Sequence, residues 1–101
     1  MSLADDFYRI FAGLEHAHGR YVVAPGTRAD ERGKLAGQAN TRARPVTLRD
    51  WHEHLEGKDQ IGIVPIRSDG TCVFGAIDFD IYPLDHQQLA NACADAGLPL
   101  V

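Results

Sequence analysis

Long apolar runs are missing from this sequence, and so is any sign of a secretory leader. No stretch approaches the ~18 consecutive apolar residues that a membrane-spanning helix needs. Residues 1–6 have neither the basic start nor the apolar stretch of a signal peptide. We therefore expect a cytoplasmic protein with no membrane partner.

Cysteine is scarce, and the Gly-x-x-x-x-Gly-Lys-[Ser/Thr] phosphate-binding loop is absent. The missing loop excludes a P-loop nucleotide site. The two cysteines, Cys72 and Cys93, have neither the spacing of a metal site nor a secretory context that favours disulfides. We expect both to be reduced core residues, and we expect Trp51 in the core as well.

Charge is unevenly distributed along the 101 residues, although the net charge is only −4. Residues 20–49 hold seven bases against two acids, and residues 50–101 hold nine acids against two bases. A basic stretch beside an acidic one is expected where a polyanion lies along the first and reacts at the second. The plainer alternative is a solvated, mobile loop that happens to be rich in arginine.

Apolar periodicity and turn residues predict an α+β fold, with helices packed on a small antiparallel sheet that has a central β-hairpin. Thr47 and Asp50 form a possible capping box at a helix start, and Ser68-Asp69-Gly70 is a turn signal. The predicted elements are a helix at 3–18, a strand at 20–24, a long basic loop at 25–45, a helix from 47 that closes at Gly57, strands at 60–66 and 71–79 paired as a hairpin, and a helix at 85–96.

Asp78-Phe79-Asp80 closes the apolar run 71–77, which is typical of a strand that enters a core. Residues two apart on a strand point the same way, roughly 6.5–7 Å apart, so both carboxylates would project from one face. Two such carboxylates repel each other unless a cation lies between them. Oxygen ligands suit Mg²⁺ or Mn²⁺. The alternative is that one aspartate caps a turn while the other is solvated.

The histidines carry a weaker signal. His16 and His18 are two apart in a predicted helix, as are His52 and His54, and such side chains do not face each other. The pattern His-Glu-His also differs from the His-Glu-x-x-His zinc motif. We expect these four at the surface or at its boundary. His86, six residues after Asp80, could approach the acid pair.

Two adjoining segments resemble a known family. They are Leu55-Glu-Gly-Lys-Asp-Gln-Ile-Gly-Ile-Val-Pro-Ile66 and Asp69-Gly-Thr-Cys-Val-Phe-Gly-Ala-Ile-Asp-Phe-Asp80. This hairpin resembles the primase-polymerase domain of the archaeo-eukaryotic primase superfamily, in the form found in bacterial TOTE conflict systems and related mobile elements. There, a helix leads into an "hLxGk…iGiyPl" strand, a turn, and a strand that ends in Asp-hydrophobic-Asp. Residues 11–15 and Tyr21 also resemble that family's N-terminal region.

By this resemblance, Asp78 and Asp80 are the first two metal-binding, catalytic acids of a template-directed nucleotidyltransferase, a DNA or RNA primase-polymerase of replication or repair. The cofactor would be Mg²⁺ or Mn²⁺, and the partners a nucleic-acid template and primer and a nucleoside triphosphate. From charge alone, we expect the loop at about 25–46 to track nucleic-acid phosphates. Its bases are Arg28, Arg32, Lys34, Arg42 and Arg44.

Family members continue beyond a segment like Gly97–Val101 into a Ser-x-His motif and a third acid. We therefore expect residues 1–101 to be the N-terminal portion of such a domain, inactive alone and completed by a C-terminal half or a second subunit. A rival hypothesis is a non-catalytic nucleic-acid-binding or partner-docking module that uses the basic loop. A metal-dependent nuclease, with Asp85 and His86 as the further groups, ranks last.

Overall fold

Three helices and one three-stranded antiparallel sheet make up the fold in a computed structural model, which describes residues 2–101. The elements are α1 (Leu3–Ile10), β1 (His18–Val22), β2 (Gln38–Arg42), α2 (Leu48–Leu55), β3 (Ile61–Gly62) and α3 (His86–Asp95). The sheet is open, with the strand order β2-β1-β3. This arrangement confirms the predicted α+β class.

The central strand of the sheet is β1. It pairs with β2 from His18 opposite Arg42 to Val22 opposite Gln38, and with the short β3 through Arg20 opposite Ile61 and Gly19 opposite Gly62. Both pairings are antiparallel. In the sheet, residues 18–22 therefore lie between β2 and β3, which follow about 20 and 40 positions further along the chain.

Side-chain caps fix where α2 and α3 begin. The predicted capping box at α2 is confirmed, because the Asp50 N–H donates to Thr47 Oγ1 (3.2 Å) and the Thr47 N–H donates to Asp50 Oδ2 (2.8 Å). At α3, Asp85 accepts from the N–H of Gln88 at 3.0 Å. Gly57 follows α2 at a φ of 75°, a left-handed conformation that favours glycine.

Four aromatic rings join α1, α2 and the apolar run 71–77. The ring of Phe7 lies 5.4 Å from that of Trp51, and the ring of Phe11 lies 5.2 Å edge-on from that of Phe74. Trp51 is 5% exposed, which confirms its predicted place in the core. Aromatic pairs at these separations stabilise packing beyond the area that they bury.

The first helix is shorter than predicted. The sequence favoured a helix over 3–18, but α1 ends at Ile10. Gly13 lies so close to Val64 and Ile63 that a Cβ at this position would collide with them. The Leu14 N–H donates to the Val64 carbonyl at 2.8 Å. A contact with a segment 50 residues away therefore replaces the next helical turn.

The predicted long loop at 25–45 contains a strand, so that prediction was wrong for residues 38–42. This strand, β2, has polar residues at most positions and is exposed along most of its length. It lies at the sheet edge, and residues 38–41 are exposed, so both of its faces contact solvent. Its sequence therefore lacks the apolar alternation by which a strand is recognised.

The predicted hairpin between 60–66 and 71–79 is present only as its turn. The Arg67 N–H donates to the Thr71 carbonyl at 2.8 Å, and Gly70 has a φ of 82°. Beyond this turn, residues 71–79 form no helix or strand. The segment before the turn pairs elsewhere, because Ile61 and Gly62 bind β1 and Val64 binds Leu14.

The cysteines differ in their environment. Cys93 on α3 is buried, as predicted, whereas Cys72 is exposed, so the core prediction was wrong for Cys72. Cys72 directly follows the turn at 67–71 and lies in the unpaired segment rather than in a buried strand. Both thiols are free. None of the helices in residues 2–101 has the length and apolar character needed to cross a bilayer.

Candidate functional site

Asp78 and Asp80 lie in an irregular segment between the turn at 67–71 and α3. Both are exposed, and neither forms a hydrogen bond or ion pair with residues 2–101. Within that range, no three or more His, Cys, Asp or Glu side chains are grouped to hold a metal ion. The two carboxylates are thus open to solvent, and Asp85 and His86 do not complete a metal cluster with them.

The donor chemistry of this pair fits a hard divalent cation. Two carboxylates separated by one residue offer four anionic oxygens, the ligand type that Mg²⁺ and Mn²⁺ prefer. Nothing among residues 2–101 competes for those oxygens. Phe74, four residues before Asp78, anchors the start of the segment through its edge-on contact with Phe11.

Three of the five basic residues predicted to contact nucleic-acid phosphates are exposed to solvent. Arg28, Arg32 and Lys34 are exposed and form no ion pair within residues 2–101. The turn that carries two of them is ordered by Asp30, whose Oδ1 accepts from the N–H of Arg32 (2.9 Å) and of Lys34 (2.8 Å). Gly33 completes the turn at a φ of 79°. These cationic side chains therefore project from a fixed turn.

Arg42 and Arg44, the other two bases, bind carboxylates of the protein itself. Arg44 forms a bidentate ion pair with Asp50, with Nη1–Oδ2 at 2.7 Å and Nη2–Oδ1 at 2.8 Å. Arg42 contacts Asp50 at 3.3 Å and also pairs with Asp59. Asp59 further accepts from Arg20 Nε at 2.8 Å. This Asp50–Asp59 network ties the start of α2 to β1 and β2.

The acids of the Asp50–Asp59 network are held in their charged form. Asp50 is 3% exposed. The hydrogen bonds from Arg44 lower its pKa well below the usual range, helped by Thr47 and opposed by burial. Burial raises the pKa of Asp59, but the hydrogen bonds from Arg20 and Arg42 outweigh this and lower it overall. The network is therefore a set of permanent charges at neutral pH.

One histidine prediction was wrong. His18 is 1% exposed rather than at the surface, because it opens β1 and not the end of a helix. Its Nδ1 lies 3.1 Å from the Arg44 carbonyl. His16 and His52 are exposed, as predicted. His54 is half-buried at the boundary, where its Nδ1 accepts from the Ile61 N–H at 3.2 Å.

A comparison with models of known protein families assigns the chain to one of them. The family model of the TOTE conflict system archaeo-eukaryotic primase domain matches residues 16–101. The chain belongs to this family. Searches of curated proteins and of solved structures gave no match. Family membership confirms the resemblance and identifies a primase-like domain of a conflict system.

Primase-like domains of this superfamily generally use divalent metals and act with nucleic acid and nucleoside triphosphates. The carboxylates of Asp78 and Asp80, which the sequence singles out, are exposed, whereas sequence reasoning missed the buried carboxylates of Asp50 and Asp59 as parts of an ion-pair network. The capping motif Thr47-Leu-Arg-Asp50 marked Asp50 only as a helix cap. No sequence motif near Asp59 predicts its ion pairs, because its partners Arg20 and Arg42 lie 39 and 17 positions away.

We predict that Asp50→Asn destabilises this domain by about 2 kcal/mol at pH 7, because it removes the charge that accepts hydrogen bonds from Arg44 and Arg42 at the start of α2. The lowered pKa of Asp50 contributes stability above the unfolded value of 3.8, and that stability is lost as the pH falls towards the lower folded value. The difference between wild type and variant should therefore shrink by about 1 kcal/mol from pH 7 to pH 3.

Urea unfolding at both pH values measures this difference. Glu53→Gln is the matched control, because Glu53 lies on the same helix but pairs only with the exposed Arg49. It should change the free energy of unfolding very little. A difference for Asp50→Asn that is the same at pH 3 and pH 7 would contradict the role of its charge.

Proposed function

We propose that this chain is part of a template-directed primase-polymerase in which Asp78 and Asp80 bind Mg²⁺ or Mn²⁺ for nucleotidyl transfer. One observation carries the proposal. In a member of a primase family, these two carboxylates are exposed and have no protein partner, whereas Asp50 and Asp59 are bound by arginines. Carboxylates without a structural partner are available as ligands.

The role of the pair follows from its chemistry. When bound, divalent ions activate a primer 3′-hydroxyl and neutralise the charge of an incoming triphosphate. Asp78 and Asp80 contribute the anionic oxygens that hold such ions. Their exposed position leaves the remaining coordination positions to water, phosphate oxygens and other protein groups. We propose that residues 1–101 form the N-terminal portion of the catalytic domain and that a C-terminal half or second subunit supplies the other ligands.

Calorimetric titration with Mn²⁺ tests the metal assignment. We expect wild type to bind Mn²⁺ weakly and the double variant Asp78→Asn/Asp80→Asn to give no binding heat, because amides are poorer ligands and carry no charge. The control variant Glu31→Gln/Asp95→Asn removes the same total charge from two exposed acids that also lack a protein partner, and it should titrate like wild type. Equal heats from wild type and the Asp78/Asp80 variant would refute the assignment.

A second candidate function is supported by the Asp30 turn. It holds Arg32 and Lys34 by backbone hydrogen bonds, so their charges project from an ordered surface with Arg28 nearby in sequence. We propose that these three side chains bind nucleic-acid phosphates, either within the polymerase or in a non-catalytic binding module. Arg42 and Arg44 would then act indirectly, because their guanidinium groups are engaged by Asp50 and Asp59.

We predict that Arg28→Ala/Arg32→Ala/Lys34→Ala weakens binding to a labelled single-stranded DNA and makes the slope of log K against log salt shallower by about 2. Fluorescence anisotropy over a salt series gives both values. The control Arg9→Ala/Arg49→Ala/Lys58→Ala removes three bases that pair with exposed carboxylates elsewhere. An equal loss in both triple variants would indicate an unspecific charge effect. An affinity for single-stranded DNA that does not change when Mn²⁺ is added would favour the non-catalytic module.

A further inference from the structure

The outer edge of β2 is an exposed strand edge without the usual protection. β2 lies at one end of the strand order, and residues 38–41 are exposed. Edge strands are commonly blocked by lysine, by proline, by a bulge or by a covering loop. Residues 38–41 are Gln-Ala-Asn-Thr, and their pairing with β1 has a regular register without a bulge. This edge is therefore open to a further strand.

The hydrogen bonds of β1 show which backbone groups of β2 face outwards. The Tyr21 N–H donates to the Gln60 carbonyl at 2.9 Å, so the polar backbone groups of Tyr21 point towards β3 and away from β2. In an antiparallel pair, the residue opposite such a residue also turns its groups away. Ala39 lies opposite Tyr21, and Thr41, two positions further on, has the same orientation. The N–H and carbonyl groups of Ala39 and Thr41 therefore point out of the sheet.

These outward groups fit an occupant that is itself an extended strand. Ala39 and Thr41 present two donors and two acceptors, and no group of residues 2–101 binds them. A strand offers N–H and carbonyl groups at the same two-residue spacing, and strand addition to an open edge is a common mode of recognition. The exposed side chains at 38–41 are small or uncharged, so they admit a neighbouring strand without a clash of charge.

The sequence of β2 is complementary to itself in the antiparallel direction. Ala39 and Thr41 lie symmetrically about Asn40, so a two-fold axis at Asn40 places Ala39 of one copy opposite Thr41 of the other. Asn40 then faces Asn40 of the second copy, and its primary amide both donates and accepts. Arg42 faces Gln38, so no like charges meet. An axis at Arg42 would instead bring two arginines together.

We propose that the β2 edge pairs with the β2 edge of a second copy of this chain, antiparallel about Asn40. The three strands of each copy then form one continuous sheet in the order β3-β1-β2-β2-β1-β3. Ala39 and Thr41 of both copies contribute the hydrogen bonds that join them. Because the contact is small, the dimer is weak and forms at high concentration. It is independent of the proposed metal site, since Asp78 and Asp80 lie outside β2.

Analytical ultracentrifugation over a concentration series measures this self-association, with Thr41→Pro and Thr41→Val as a matched pair. Thr41→Pro removes an N–H that β1 does not use, and edge strands tolerate proline at such positions. Half of the hydrogen bonds between the copies are lost, so the dimer should weaken about tenfold. Thr41→Val keeps the N–H and should associate like wild type. A wild-type chain that stays monomeric at about 1 mM, or a proline variant that associates equally well, would overturn the proposal.

Charge exchange at position 40 tests the register of the pairing. Asn40→Asp and Asn40→Lys each place like charges opposite each other across the two-fold axis, with Cα atoms about 4.5 Å apart, so each variant alone should lose self-association. An equimolar mixture places the new carboxylate opposite the new ammonium group and should recover it. A mixture that stays monomeric would contradict pairing about Asn40.

Amide signals of the ¹⁵N-labelled wild type test the same pairing without a substitution. Those of Ala39 and Thr41 should move as the concentration rises, because their N–H groups gain acceptors, whereas that of Gly33 in the Asp30 turn should stay in place. This measurement decides if an Asn40 variant fails to fold. Concentration-dependent shifts that leave out Ala39 and Thr41 would place the contact on another surface and overturn the proposal.

Discussion

The buried carboxylate of Asp50 is the constraint on which the arrangement of this small fold depends. A carboxylate that is 3% exposed must be fully paired, because an unpaired buried charge is very costly. Arg44 binds it with two hydrogen bonds, and Arg42 extends the contact to Asp59 and from there to Arg20 on β1. Helix and sheet thereby share one charge network, although few large apolar side chains are buried in residues 2–101.

The same network divides the charged residues into two groups with different roles. Arg42, Arg44 and Asp50 satisfy one another and hold the fold. Asp78 and Asp80, and the bases of the Asp30 turn, are exposed and have no ion-pair partner in the described chain. The excess of basic residues at 20–49 therefore overstates the size of a nucleic-acid surface, because Arg20, Arg42 and Arg44 pair with carboxylates of the protein itself. What remains is a small basic turn and one open acid pair.

Features set by neighbouring residues could be predicted from the sequence. The cap at Thr47 and Asp50, the α3 cap at Asp85 and the turn at Gly70 involve residues three or four positions apart. Features set by distant residues could not. Examples are the end of α1, which depends on Gly13 meeting Val64, and β2, which is polar because it lies at the sheet edge. His18 belongs with these, since its Nδ1 lies against the carbonyl of Arg44, 26 positions away. The acid pair is predicted from its motif, but it lies in an irregular segment and not in the strand that the apolar run 71–77 predicted.

Paramagnetic broadening by Mn²⁺ tests the central assignment most directly, because it locates the ion rather than only detecting its binding. Amide signals of the ¹⁵N-labelled chain are recorded while a substoichiometric amount of Mn²⁺ is added. If Asp78 and Asp80 are the metal ligands, the signals of residues 77–81 broaden first, and those near other exposed acids such as Glu31 and Asp95 broaden later. Broadening that begins elsewhere, or that affects all exposed acids equally, would contradict the assignment of this pair as a nucleotidyltransferase metal site.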